Sequence, residues 1–271
     1  MESTDPESLR LLEGSLRTTM AAASGVKLDA ALVDLGWRDM LDEMPGVAEP
    51  LVFRLLGETG SHAAVLNDVV LRESGATPGG TVPLPFAGGS WVIWERGDGA
   101  ESAIDELLPI HRVPQGDPLP PAALQAGRRA LGWWLVGTGR AMLALAQQHA
   151  LDRVQFGRHI SSFQALRHRL AETLVAIEGA EATLHVAAQS ADHDGLASLL
   201  AKAAAGQAAL TAARHCQQVL GGIGFTAEHP LHHHVKRSLI LEGLLGSARE
   251  LTREAGKVVV DKRFAPRLAE L

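Results

Sequence analysis

Arg153-Val-Gln-Phe-Gly-Arg158, followed at once by Ser161-Ser-Phe-Gln-Ala-Leu166, separates two long apolar-periodic stretches and divides the chain around it. On its N-terminal side Leu131, Trp134, Leu135, Thr138, Met142 and Leu145 recur at the i, i+3, i+4, i+7 spacing of a core-facing helix. Leu166, Leu170, Leu174, Ile177 and Leu184 do the same on its C-terminal side. The glycine between them marks the break where one helix gives way to the next. An arginine at such a break can make paired hydrogen bonds to a phosphate, and a phenylalanine can cover a flat ligand. Two more helices extend the pattern, an alanine-rich one from about Gly195 to Val219 and one from about Pro230 to Val260, with proline in a first turn that permits it. Four helices with short connections predict an antiparallel bundle over 121–271.

Upstream the composition changes twice. Residues 1–75 read as a helical region, with Leu28, Leu32 and Leu35 and then Leu51, Leu55 and Leu56 at helical spacing. Residues 76–120 are rich in Gly and Pro, and Ser90-Trp-Val-Ile-Trp-Glu95 is short, β-branched and aromatic, which predicts one or two small strands among loops. The expected fold class is mainly α.

With 271 residues, 46% of them hydrophobic, the chain can bury a core of one large or two smaller domains. Its 31 acidic against 25 basic residues give a net charge of -6, which argues against bulk attraction to nucleic acid, and no nucleic-acid motif is present. No apolar run approaches the roughly 18 to 20 residues that span a bilayer, and the start, Met1-Glu-Ser-Thr-Asp-Pro-Glu7, is acidic, so the expectation is a cytoplasmic protein without membrane contact. The single cysteine, Cys216, excludes an intrachain disulfide and is expected to pack between helices. Five Trp and six Phe accompany no Tyr at all; nothing physical in the sequence explains that absence.

Arg153-x-x-Phe-Gly, the Phe163-Gln164 pair and the later Gln218-Val-Leu-Gly-Gly-Ile-Gly-Phe225 together resemble the paired signatures of the acyl-CoA dehydrogenases, flavoenzymes that desaturate acyl-CoA thioesters between the α and β carbons. The resemblance implies an N-terminal helical region, a middle β-region and a C-terminal four-helix bundle. It also implies that Arg153, Phe156, Gln164, Gln218, Gly221, Gly222 and Gly224 contact the pyrophosphate and adenosine end of FAD, largely across a subunit interface. The chemistry suits that task, since arginine neutralises phosphate charge and glycines let backbone N–H groups approach an anion.

Two departures stand beside the likeness. The middle region is too short for a full flavin-ring domain. The two positions at which the resemblance places a catalytic glutamate fall on Leu245 and Gly127, neither of which can accept a proton. Glu242, three residues before Leu245, is the remaining candidate base. These departures resemble the shorter, base-lacking subunit of heteromeric (α2β2) acyl-CoA dehydrogenases of actinobacteria that degrade steroids. That likeness implies a catalytic partner subunit, an acyl-CoA substrate and an electron-transferring flavoprotein reached through the complex. A self-sufficient dehydrogenase using Glu242 and a flavin-free interaction protein are the alternatives.

Other features read more plainly. His229-Pro-Leu-His-His-His234 has no cysteine or carboxylate to complete a metal set, so no metal is expected. Trp133-Trp134 is expected in the bundle core, and Arg167-His168-Arg169 on a solvated helix face. The alanine-rich face at Ala201-Lys-Ala-Ala-Ala205 is expected to lie against another subunit.

Overall fold

The structure, a computed structural model, describes residues 5–96, 108–189, 195–263 and 265. The acidic start at Met1 to Thr4 and residues 97–107 of the middle region lie outside these residues. Five helices come first: α1 (Pro6–Ala22), α2 (Val26–Asp34), α3 (Trp37–Glu43), α4 (Pro45–Thr59) and α5 (Val65–Glu73). Asp5 caps α1 by accepting from the Ser8 N–H at 3.2 Å, and prolines open both α1 and α4 where an absent N–H costs nothing.

Three short antiparallel strands follow, β1 (Pro83–Phe86), β2 (Ser90–Trp94) and β3 (Ile110–Val113), in that spatial order. The sequence predicted one or two. β3 was missed because Ile110-His-Arg-Val113 pairs with Trp91–Trp94 without any local turn signal. The bundle consists of α6 (Pro121–Asp152), a two-residue hairpin β4 (Val154–Gln155) and β5 (Arg158–His159), α7 (Gln164–Gln189), α8 (Leu196–Leu220), α9 (Leu231–Gly243) and α10 (Ala248–Lys262).

The expected fourth helix is therefore two. Leu245 takes a left-handed φ of 55° and Gly246 a φ of 100°, and Ser247 then starts α10 with a full capping box: its side chain receives the Glu250 N–H while Glu250 receives the Ser247 N–H at 2.9 Å. The expected intersubunit alanine face is also corrected. Ala201, Lys202, Ala203 and Ala205 are buried within the chain, because α8 is the central helix and the small side chains let α6, α7 and α10 close on it. The same composition makes one window of Leu196–Phe225 long and apolar enough to cross a bilayer, contrary to the reading of the sequence, but 72% of that window is buried in the protein.

One continuous core joins the first helices, the sheet and the bundle. Its spine is aromatic. Trp37 meets Phe53 edge-on at 6.2 Å, Phe53 meets Trp134 at 5.7 Å, and Trp134 stacks on Trp94 of β2 at 5.3 Å. Trp133, as expected, is also buried, against the edge of His185. Helices α4 and α6 cross with their backbones nearly touching: a methyl group on Gly57 would collide with the Trp134 carbonyl, and one on Gly137 with the Arg54 carbonyl. Cys216 is buried among α6 and α8 side chains, and burial pushes its thiol pKa up to about 12, which suits packing rather than reactivity.

Candidate functional site

The up-and-down order of the helices brings four chain ends together. The C-terminus of α6, the N-terminus of α7, the C-terminus of α8 and the N-terminus of α9 share one cluster through Ala146, Ala150, Leu166, Val219, Leu220 and Leu231. All seven residues proposed for cofactor contact lie at this end. Arg153 is the exposed residue after α6; its N–H closes the helix on the His149 carbonyl at 2.9 Å, leaving the guanidinium unpaired among the described residues.

Phe156 and Gly157 form the tip of the β4–β5 hairpin, both with positive φ, and Phe156 is 91% exposed. A phenylalanine held outward on a two-residue turn is not the product of core formation. The edge of its ring faces Phe163 at 6.1 Å, and the Arg158 guanidinium lies 4.2 Å from the Phe163 ring centre. Gln164, exposed at the start of α7, holds His168 with its amide at 3.3 Å.

Across the same end, Gln218 is exposed on the last turn of α8, and Gly221 to Phe225 form a 3-10 turn. Gly221 has φ 65° and ψ -140°, a conformation side chains resist, and neither Gly221 nor Gly222 has any atom within 4 Å of where a Cβ would stand. Their backbone is open to an approaching group. Gly224 differs: it is buried, and a Cβ there would sit 2.8 Å from the Gln217 carbonyl, so its lack of a side chain serves the turn itself.

Arg17, Arg54, Arg72, Arg96, Arg128 and Arg140 all pair with carboxylates. Among the described residues, Arg153, Arg158, Arg167, Arg169 and Arg214 form no ion pair with a carboxylate, so five guanidinium groups at this end remain available to an anion. Burial, and then the neighbouring His229 and Arg153, push the His149 pKa down; burial, and then His232, do the same for His229. The His232 and His233 ring centres lie 3.7 Å apart with their planes inclined by 40°. The described residues contain no group of three or more His, Cys, Asp or Glu that could hold a metal ion.

The two positions at which a base was sought are in contact. A Cβ on Gly127 would stand 2.6 Å from the Leu245 side chain and 3.2 Å from Val70. Leu245 is 1% exposed. Its turn is held from three sides. The fully buried Lys202 donates to the Glu242 carbonyl at 2.6 Å and the Gly246 carbonyl at 2.5 Å, Arg128 donates to the Leu245 carbonyl at 3.2 Å, and the Leu245 N–H donates to the Pro85 carbonyl at 2.8 Å. Burial pushes the Lys202 pKa down to about 7, against the opposing pull of Glu242.

Glu242 does not point into an open site. Its Oε1 accepts the Ala248 N–H at 2.5 Å at the start of α10, and its Cγ lies 3.3 Å from the position of a Cβ on Gly206. The cation pair Lys202 and Arg128 was missed in the sequence, though Lys202 falls at helical spacing between Leu199 and Ala205 on the buried side of α8. Arg169 was also misread. It is half-buried and shares a groove with Gln218, and its spacing of three from Leu166 on the apolar stripe was the available signal.

Residues 115–256 match the family model described as acyl-CoA dehydrogenase, C-terminal domain. The chain is 33% identical over 226 residues to acyl-CoA dehydrogenase FadE34 of Mycobacterium tuberculosis, covering 74% of this chain and 31% of that protein. It is 41% identical over 118 residues to acyl-CoA dehydrogenase IpdE2 of the same organism, covering 44% of this chain and 36% of that one. The matches therefore span about a third of the length of these relatives. In three dimensions the chain is similar to the ChsE4-ChsE5 complex from Mycobacterium tuberculosis, with TM-score 0.71, 19% identity, and 98% of this chain and 100% of that chain covered. It is also similar to butyryl-CoA dehydrogenase from Megasphaera elsdenii, with TM-score 0.67, 14% identity, and 96% and 100% covered.

Proposed function

Because the chain belongs to the acyl-CoA dehydrogenase family, we propose that it is the FAD-completing, base-lacking subunit of a heteromeric α2β2 enzyme. That enzyme desaturates an acyl-CoA thioester between its α and β carbons. One observation carries the reading. The residues at both base positions, Leu245 and Gly127, are apolar and packed on each other, so this chain has no carboxylate where the α-proton would be taken.

The residues at the basic bundle end fit a dinucleotide diphosphate. Arg153 offers an unpaired guanidinium to the phosphates, Gly221 and Gly222 offer open backbone, Gln218 and Gln164 offer amides to ribose or base, and Phe156 offers an aromatic face. Bound FAD supplies the acceptor for the β-hydride. Among the described residues the middle region has three strands of four or five residues, too few to enclose its ring, which supports placing the ring pocket and the base in the partner subunit. Electrons leave through the complex to an electron-transferring flavoprotein. A similar structure described as a steroid ACAD supports a steroid-derived CoA thioester as substrate.

The test is a visible spectrum. A tag on this chain, used to purify it from its own host together with its native partner, should give a yellow complex with one FAD per pair of unlike chains, and a colourless product when the chain is made alone. Flavin and turnover in the chain alone would refute the partner model. A colourless complex would refute flavin binding altogether.

A further inference from the structure

Two carboxylates are buried among the described residues, Asp68 and Glu49. Asp68 is fully satisfied: it accepts from the Trp37 indole at 3.0 Å, the Gly79 N–H at 2.7 Å and the Arg96 guanidinium at 2.5 Å. Glu49, on the inner side of α4, is 8% exposed and makes no hydrogen bond or ion pair among the described residues. A buried charge without a partner is costly, so nothing in the packing of α4 calls for a carboxyl at this point.

The charged groups that act on Glu49 come from two neighbouring helices, Arg129 from α6 and then Glu73 and Arg72 from α5. Arg72 is already engaged, by Asp42 of α3 at 3.0 Å and by the adjacent Glu73. Arg129 is half-buried and forms no ion pair among the described residues. Its Nη1 donates instead to the Ser198 hydroxyl at 3.3 Å, a long bond to a neutral acceptor in the first turn of α8. One cation therefore stands between a hydroxyl and a carboxyl whose charge depends on a single proton. Desolvation pushes the Glu49 pKa up to about 7, with Arg129 the largest influence the other way. Hydrogen bonds between two charged groups are roughly twice as strong as neutral ones, so an ionised Glu49 outcompetes Ser198 for the guanidinium and a protonated one does not.

We propose that Arg129 is a two-position tie worked by the Glu49 proton. With Glu49 protonated, Arg129 holds α6 to the first turn of α8, the position seen in the structure. With Glu49 ionised, it swings to the carboxylate and holds α6 to α4. The turn it leaves is closed by the Leu199 N–H on the Gly195 carbonyl at 2.9 Å and packs Leu196 and Leu199 against Ala248 and Leu251 of α10. Releasing it loosens the end of α8 opposite the glycine turn. The device is internal to the chain and does not depend on the flavin reading. Because the folded pKa of Glu49 lies above its unfolded value, the stability that its proton contributes is fully present below the ordinary carboxyl range and is lost as pH rises through about 7.

The experiment is amide hydrogen exchange on the complex purified from its own host through this chain, at about pH 6 and about pH 8.5, corrected for intrinsic exchange rates. In the wild type, protection of the Leu199 amide and the next turn of α8 should fall several-fold at the higher pH. Glu49→Gln, a lasting stand-in for the protonated acid, should keep the low-pH protection at both. Ser198→Ala, which removes the first position, should show the high-pH level at both. Independently, infrared difference spectra across the same range should contain a protonated carboxyl band that Glu49→Gln removes. A wild type without a pH response, the same response in Glu49→Gln, a response that survives Ser198→Ala, or a carboxyl band that is missing from the wild type or persists in Glu49→Gln would each overturn the proposal.

Discussion

Replacing Glu242 separates a structural carboxylate from a catalytic one. In the structure its Oε1 accepts the Ala248 N–H at 2.5 Å, a first-turn donor of α10 that has no helical partner of its own, and the side chain is wedged between α8 and α10. Glu242→Gln keeps an acceptor of the same size and exchanges a charge-assisted bond for a neutral one. The difference between those classes is about 1 kcal/mol, which for a chain of this size moves the melting temperature by roughly 2–4 °C. Glu242→Ala removes the acceptor entirely and should cost about 0.5–2 kcal/mol, as loss of other helix caps does. Neither change touches a proton-transfer step, so steady-state dehydrogenation by the co-purified complex, measured with an artificial electron acceptor, should stay within a few-fold of wild type. Removing a positioned base costs roughly 10² to 10⁴ in rate, and the matching change in the partner's base serves as the control. A 100-fold collapse in Glu242→Gln, with melting temperature and FAD content intact, would refute the argument and make this chain catalytic.

Arg153→Ala should loosen FAD in the assembled complex by roughly 10- to 100-fold without changing the melting temperature, since an arginine-phosphate bond is charge-assisted and Arg153 supports nothing else; fluorescence titration of the flavin-stripped complex checks it. Gly137→Ala should destabilise the chain by about 1–3 kcal/mol or more, because the added methyl strikes the Arg54 backbone and no rotamer can relieve it; urea denaturation reads the loss. His234, half-buried against Gly60, has its pKa pushed down to about 4, first by desolvation, below the ordinary 6.5. The unfolded chain therefore binds the extra proton first, so its contribution is fully present above pH 6.5 and is lost as pH falls toward 4. Stability measured across that window should flatten in His234→Gln.

The helical content was legible because the stripes from Leu131 to Leu145 and from Leu166 to Leu184 repeat over several turns, and periodicity survives any tertiary context. The break between α9 and α10 was not, because Gly246-Ser247 looks like a modest interruption until Lys202, Arg128 and Pro85 are seen to hold the turn carbonyls and the Leu245 N–H. The same turn explains Leu245. A left-handed leucine is strained, and it persists where several long-range bonds fix the backbone around it. The basic bundle end was half legible. Arg153 and the glycine turn stand out in the sequence, but the half-burial of Arg169 beside Gln218 depends on which helix faces meet.

The stacked Trp94 and Trp134 have a spectroscopic consequence. Two indoles 5.3 Å apart and inclined by 27° couple their electronic transitions, and in a chain without tyrosine the aromatic circular dichroism beyond phenylalanine's bands arises from tryptophan alone. One indole rides on the small sheet and the other on the longest helix, so the coupled signal reports whether those two parts are seated together. A partner that pulled the sheet away from the bundle on assembly would erase it while leaving the helical signal untouched. The chain therefore carries its own optical gauge of sheet docking, readable without any label.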